Sequence, residues 1–122
     1  MYELTIEQQF SGAHQLRGYK GQCENLHGHN WKVTLSVHAE QLNDIGLAID
    51  FHELKAMAKE IVGGLDHGFL NKIFPFTEIN PSSENIAKYV FDAMKKQLQA
   101  TGVQISAVTV WESDTASATY YD

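Results

Sequence analysis

Residues 29–39 alternate without interruption: Trp31, Val33, Leu35 and Val37 fall on one face, and Lys32, Thr34, Ser36 and His38 on the other. Successive side chains of an extended chain point to opposite sides, so this is a strand with one face in a core and one outside it. Such a strand needs neighbours along its edges and a layer over its apolar face. Residues 2–10, rich in Tyr, Thr, Ile and Phe, read as a first strand. Residues 104–112 and 117–121 read as two more. The covering layer comes from two helices. One begins at Asp50, with Glu53 three residues on as in a capping box, and carries Phe51, Leu54, Met57, Ala58, Ile61 and Val62 as one stripe before Gly63-Gly64 ends it. The other starts in Asn80-Pro81-Ser82-Ser83-Glu84 with a serine as N-cap, buries Ile86, Val90, Met94 and Leu98, and stops at Gly102.

The order is therefore β-β-α-α-β-β. It predicts an α+β domain: a four-stranded antiparallel sheet with two helices packed on one face. The other face then lacks cover, and self-association is the expected way to supply it. A chain of 122 residues is expected to form a single domain, residues 1–122. Its 15 acidic against 9 basic side chains leave no basic footprint, so no nucleic-acid partner is expected. One cysteine cannot make an intrachain disulfide. No apolar stretch approaches the roughly 20 residues of a membrane span. The acidic, alternating start, Met1-Tyr2-Glu3-Leu4-Thr5-Ile6-Glu7, is unlike a signal peptide. The expectation is a cytoplasmic protein without a membrane partner.

Chemistry is concentrated in the connections. Residues 11–26 read as a long irregular loop carrying Gly12, Gly18 and Gly21, a length commonly tied to function. Around it stand His14, the lone Cys23, and His27-Gly28-His29. Residues two apart on a strand share a face, so His27 and His29 can reach one metal ion, and hairpin pairing can bring His14 alongside. Three imidazoles leave a fourth position open on zinc, as catalytic sites do. With Cys23 as a fourth ligand the same residues would instead close a structural site. A thiol beside an imidazolium or a metal is activated as a thiolate. Asp66-His67, in the loop 65–71, is a second candidate pair, in which a carboxylate orients an imidazole. Glu112 shares a strand face with Val108 and Val110, and a carboxylate on a largely buried face needs a partner or a task. It could accept two parallel hydrogen bonds from an aminopyrimidinone ring. His38, on a polar strand face, and His52, at a helix start, read as non-ligands.

Several of these segments recur in a fixed order: Phe10-Ser11-Gly12-Ala13-His14, Cys23 three residues before His27-Gly28-His29-Asn30-Trp31, Ile49-Asp50-Phe51, Leu65-Asp66-His67-Gly68-Phe69-Leu70-Asn71, Asn80-Pro81-Ser82-Ser83-Glu84-Asn85 and Trp111-Glu112-Ser113. Together they resemble the 6-pyruvoyl-tetrahydropterin synthase family over the whole chain, most closely its bacterial carboxy-forming branch in the queuosine pathway. Gly12 and Ser113 stand where alanine and threonine are common in that family.

The resemblance implies a tunnelling fold, and a homo-oligomer of two stacked trimers with active sites between subunits. It implies Zn2+ on His14, His27 and His29, Cys23 as catalytic proton acceptor, Asp66 and His67 completing the catalytic set, and Glu112 binding a pterin substrate. The reaction it implies is a carbon–carbon lyase step, from dihydroneopterin triphosphate to 6-carboxy-tetrahydropterin, acetaldehyde and triphosphate. Arg17, Lys20 and Lys72 are candidates for the triphosphate. Three alternatives stand beside it: the sister reaction giving a pyruvoyl pterin, a folate-pathway lyase giving a hydroxymethyl pterin with Glu24 as its acid–base residue, and a zinc-stabilised binding module without turnover.

Overall fold

A computed structural model describes residues 1–21 and 24–122. The elements run β1 (Tyr2–His14), β2 (His27–Ala39), α1 (Phe51–Gly63), β3 (Gly68–Phe69), α2 (Ser83–Gln97), β4 (Gln104–Ser113) and β5 (Ala116–Tyr120). Short 3-10 turns at Leu70–Lys72 and Leu98–Ala100 follow β3 and α2. Among the described residues no helix is long and apolar enough to cross a membrane.

The sheet order is β3-β1-β2-β4-β5. β1, β2, β4 and β5 pair antiparallel, as the alternation predicts, but a fifth strand extends the sheet. β3 lies parallel to β1, with Gly12 opposite Gly68 and Ala13 opposite Phe69. The loop after α1 is drawn there by the Ser11 peptide, whose N–H donates to Asp66 Oδ1 at 2.9 Å and whose carbonyl accepts the His67 N–H. No period in a two-residue strand announces it.

β1 also runs four residues beyond its sequence-predicted end. Ser11-Gly12-Ala13-His14 has little intrinsic strand preference. It stays extended because each residue pairs with β2, Ser11 opposite Asn30 through to His14 opposite His27. The connection is thus shorter than it reads in the sequence, 15–26 rather than 11–26.

The helices begin where the caps predict. The Asp50 carboxylate accepts from the His52 N–H at 2.8 Å, and the Ser82 hydroxyl accepts from the Asn85 N–H at 3.2 Å. Both relieve backbone donors that a first helical turn leaves unpaired. α2 ends at Gln97, ahead of the Gly102 stop, because the chain tightens into a 3-10 turn.

Both helices cover the odd-numbered face of β2. Trp31, Val33, Leu35 and Val37 are buried against Leu54, Ala58 and Val62 of α1 and Ile86, Val90, Phe91 and Met94 of α2. Phe51, the first residue of the α1 stripe, stays half exposed. The opposite sheet face is polar. Thr5 and Ser36 hydroxyls meet at 2.9 Å, Thr109 and Thr119 at 2.7 Å, and the Lys32 ammonium lies 4.7 Å from the centre of the Trp111 ring.

Leu35 sits at the centre of the buried face, 1% exposed. Leu35→Ala should lower the unfolding free energy by about 2–5 kcal/mol, the range for an aliphatic truncation that leaves a cavity. Urea denaturation checks this: the midpoint should fall with the slope unchanged.

Candidate metal centre and active site

The histidine cluster follows from the β1–β2 register. His14 lies directly opposite His27, and His29 is opposite Gly12, which has no side chain to fill the space. All three imidazoles project from the core-side face, because 14 has the parity of Phe10, and 27 and 29 that of Trp31. Trp31 floors the site, its ring 4.8 Å from that of His14 and 5.2 Å from that of His29. It is itself held by stacking on Phe10 and by its indole N–H donating to the Gly12 carbonyl at 3.1 Å. A Cβ on Gly12 would meet the Phe10 ring at 3.3 Å and the Leu65 carbonyl at 3.4 Å, so glycine here leaves no slack near His14.

The ring orientations decide which nitrogens face inward. His14 Nδ1 is 2.8 Å from the Pro81 carbonyl oxygen, and His27 Nδ1 is 2.8 Å from that of Asn25. A carbonyl oxygen only accepts, so each Nδ1 carries a proton, and in the neutral ring each Nε2 presents a lone pair. Those two Nε2 atoms stand 3.0 Å apart. Two lone pairs facing each other repel unless a proton or a metal ion lies between them. His29 Nε2 is buried and forms no hydrogen bond among the described residues, although Glu112 Oε1 comes within 2.9 Å. That contact lacks hydrogen-bond alignment.

Glu112 Oε1 is also 3.4 Å from His14 Nε2 and 3.9 Å from His27 Nε2. Across the cluster His14, His27, His29 and Glu112, one donor atom from each residue lies within 4.8 Å of the others. Nitrogens bound tetrahedrally at about 2.0–2.1 Å stand roughly 3.3 Å apart, so this spacing suits a small divalent ion. Burial holds the His29 imidazole below its ordinary value. The Glu112 charge pulls it back up, while the His14 and His27 rings push it further down. A neutral imidazole is the form that binds a metal.

Asp66 and His67 meet beside this cluster. Asp66 Oδ2 is 3.0 Å from His67 Nδ1, while Oδ1 holds the Ser11 N–H. The Ser11 hydrogen bond, seconded by His67, keeps the Asp66 carboxyl below the usual carboxylate range against the opposing effect of desolvation. His67 takes a left-handed backbone, φ 57°, which turns its ring outward; the side chain is 83% exposed. The ring borders an open cleft of about 440 Å³ whose walls include Gly28, His29 and Asn30. Of the imidazole cluster, His29 lines this cleft together with His67.

Cys23 lies outside the described residues. Glu24, its neighbour, faces the strand end: its N–H donates to the Leu16 carbonyl at 2.8 Å, and its Oε1 is 3.7 Å from His27 Nδ1. Arg17 is engaged inside the fold, its guanidinium donating to the carbonyls of Asn71, Phe76 and Ile79. The Lys20 and Lys72 ammonium groups rest near the Tyr19 and Phe69 rings. His38 contacts Gln104 and stands outside the cluster, as does His52. The position of Glu112 among the imidazoles is the feature the sequence reading lacked. Its face was legible from Val108 and Val110; the register that pairs Trp111 with Lys32 was not.

A five-stranded sheet under two helices, with three imidazoles and a carboxylate converging at the end of its central strands where they could hold a metal ion, defines an enzyme of the tunnelling fold. The profile of the family described as 6-pyruvoyl tetrahydropterin synthase matches residues 3–122, and the chain belongs to that family of pterin lyases. It is 33% identical to 6-carboxy-5,6,7,8-tetrahydropterin synthase of Synechocystis sp., over 99% of this chain and 94% of that one. It is 36% identical to human 6-pyruvoyl tetrahydrobiopterin synthase, over 82% of this chain and 70% of the other. The structure of 6-pyruvoyl tetrahydropterin synthase from Caenorhabditis elegans superposes with a TM-score of 0.82 at 28% identity, covering 100% of this chain and 97% of that one.

The lowered Asp66 carboxyl has a testable sign. A carboxyl depressed in the folded state contributes stability above its unfolded value and loses it as pH falls through the folded value. Carbon-13 NMR of the Asp66 carboxyl should therefore give a midpoint below the ordinary ~3.9. A midpoint at or above that value would count against the Ser11–Asp66–His67 linkage.

Proposed function

We propose that this chain is a zinc-dependent 6-carboxy-tetrahydropterin synthase of queuosine biosynthesis, acting on dihydroneopterin triphosphate. The observation that carries the reading is the convergence of three imidazoles and Glu112, with the His14 and His27 rings oriented by the Pro81 and Asn25 carbonyls so that their Nε2 atoms face inward. The resemblance to relatives named for that activity supports the branch. The proposed products, 6-carboxy-tetrahydropterin and acetaldehyde, are together isomeric with dihydroneopterin, so release of triphosphate from its ester consumes one water.

His14, His27 and His29 would hold the zinc, which when bound supplies a Lewis acid that acidifies carbons next to the substrate's side-chain oxygens. Cys23 is assigned as the base that takes one such proton. His67, oriented by the Asp66 carboxylate, passes protons between the cleft and solvent as a general acid–base, a role its exposure suits. Glu112 is assigned as the anchor for the pterin ring. Its place beside the imidazoles means that a ring held there would have its side chain next to the metal, so the residue works by positioning. A homo-oligomer of two trimers with sites between subunits, and a cytoplasmic location, complete the proposal.

Purified zinc-loaded protein incubated with dihydroneopterin triphosphate should yield the carboxy pterin and acetaldehyde by mass spectrometry. A pyruvoyl or hydroxymethyl pterin would move the function to a sister reaction. Folded, metal-loaded protein that yields no product would favour a binding module. Cys23→Ala should retain about one zinc per chain and lose nearly all turnover, because three histidines suffice as ligands. Metal analysis beside the activity assay checks this, and loss of the metal would make the thiol a ligand.

A further inference from the structure

Asn71 and Asn80 lie within two of the recurring segments, and none of the chemistry above uses them. Their amides meet the chain just after His14. There the β1–β2 ladder ends, and the peptides of Gln15 and Arg17 need partners elsewhere. Asn71 Oδ1 accepts the Gln15 N–H at 2.9 Å, and its Nδ2 donates to the Gln15 carbonyl at 2.7 Å. Asn80 Oδ1 accepts the Arg17 N–H at 2.8 Å, and its Nδ2 donates to the Arg17 carbonyl at 2.9 Å. A primary amide carries the same donor and acceptor as a peptide group. Each asparagine therefore supplies one rung of a β-ladder, and the two rungs are two residues apart, the strand period. Leu16 between them turns the other way, its carbonyl accepting from Glu24. The two rungs thus hold the chain as it leaves β1 and enters the turn at Arg17, with side-chain amides where a neighbouring strand's peptides would stand.

Asn80 is also tied to the second half of the His14 environment. Its own carbonyl accepts from Asn85 Nδ2 at 2.9 Å, in the first turn of α2. The next carbonyl along the chain, that of Pro81, takes the His14 Nδ1 proton. One residue thereby holds the backbone that follows the histidine and stations the acceptor that sets the histidine's tautomer.

We infer that Asn80, with Asn71, is a positioning residue of the metal centre: the side-chain amides substitute for a neighbouring strand along Gln15–Arg17 and hold His14 with its Nε2 facing the other two imidazoles. This rests on the reading of His14, His27 and His29 as a metal site. Alanine removes both halves of the rung. Aspartate keeps the acceptor but turns a second oxygen toward the Arg17 carbonyl.

The test compares the wild type with Asn80→Ala, Asn80→Asp and Asn71→Ala. Thr101→Ala is the stability control; its hydroxyl donates to the Leu98 carbonyl beyond the far end of α2, a helix about 22 Å long. Zn2+ affinity is measured by competition with a chromophoric chelator, visible spectra are taken with Co2+, and Tm is measured on the metal-free proteins. The asparagine variants should bind Zn2+ about 10–100-fold more weakly, the usual cost of losing a partner that orients a ligand, with altered Co2+ bands. Thr101→Ala should lose Tm and keep wild-type affinity. Asparagine variants within about twofold of wild-type affinity, with only Tm lowered, would overturn the inference while leaving the metal site standing. If Asn80→Ala does not fold, Asn71→Ala, which removes one rung, carries the same comparison. A wild-type protein that binds neither ion overturns the metal reading itself, and the inference falls with it.

Discussion

The pairing of β1 with β2 in a single register is the constraint on which the structure depends. Slippage by one residue along either strand would turn an entire set of inward side chains outward. The apolar residues forbid that: Phe10 stacks on Trp31, and Val33, Leu35 and Val37 are sealed under the helices. The same register sets His14 opposite His27 and leaves His29 the space above Gly12. Core packing in the middle of the hairpin thereby determines the spacing of the imidazoles at its end. The stability of the sheet and the chemistry of the site are two readings of one alignment.

Four consecutive residues at the end of β1 carry much of this. Ser11 grips Asp66 and His67 through its peptide, Gly12 makes room for His29 and accepts from Trp31, and His14 faces the other imidazoles. The Asp66–His67 pair and the candidate metal cluster are thus suspended from one short stretch of backbone. The cluster has its own charge logic. Three imidazoles beside the Glu112 carboxylate offer nitrogen lone pairs and an acidic side chain together, a fitting environment for a dication whatever the charge of the whole chain.

Much of the architecture was legible because its causes are local. Alternation from Trp31 to Val37, the caps at Asp50 and Ser82 and the stripes of α1 and α2 need only a few neighbouring residues to be recognised. His27 and His29 were legible as one face for the same reason. What escaped depends on partners far along the chain. Ser11 to His14 are strand only because residues 27–30 lie beside them, β3 exists because Asp66 and His67 bond to Ser11, and Glu112 reaches the imidazoles only through the β2–β4 register. The asparagine rungs belong to this class too, linking residues 56 and 63 positions apart. The expected four-stranded antiparallel sheet fell short by one two-residue parallel strand for the same reason.

The polar face of the sheet has a consequence of its own. Thr5 with Ser36, and Thr109 with Thr119, already satisfy one hydrogen bond of each hydroxyl across the strands. Such groups hold their hydration less tightly than unpaired ones, and removing water from them forfeits less. The carboxylates of Glu3 and Glu7 and the ammonium of Lys32 stand on the same face by register. A second layer laid over it would dehydrate the paired hydroxyls at small cost, but would have to bring its own partners for these charges.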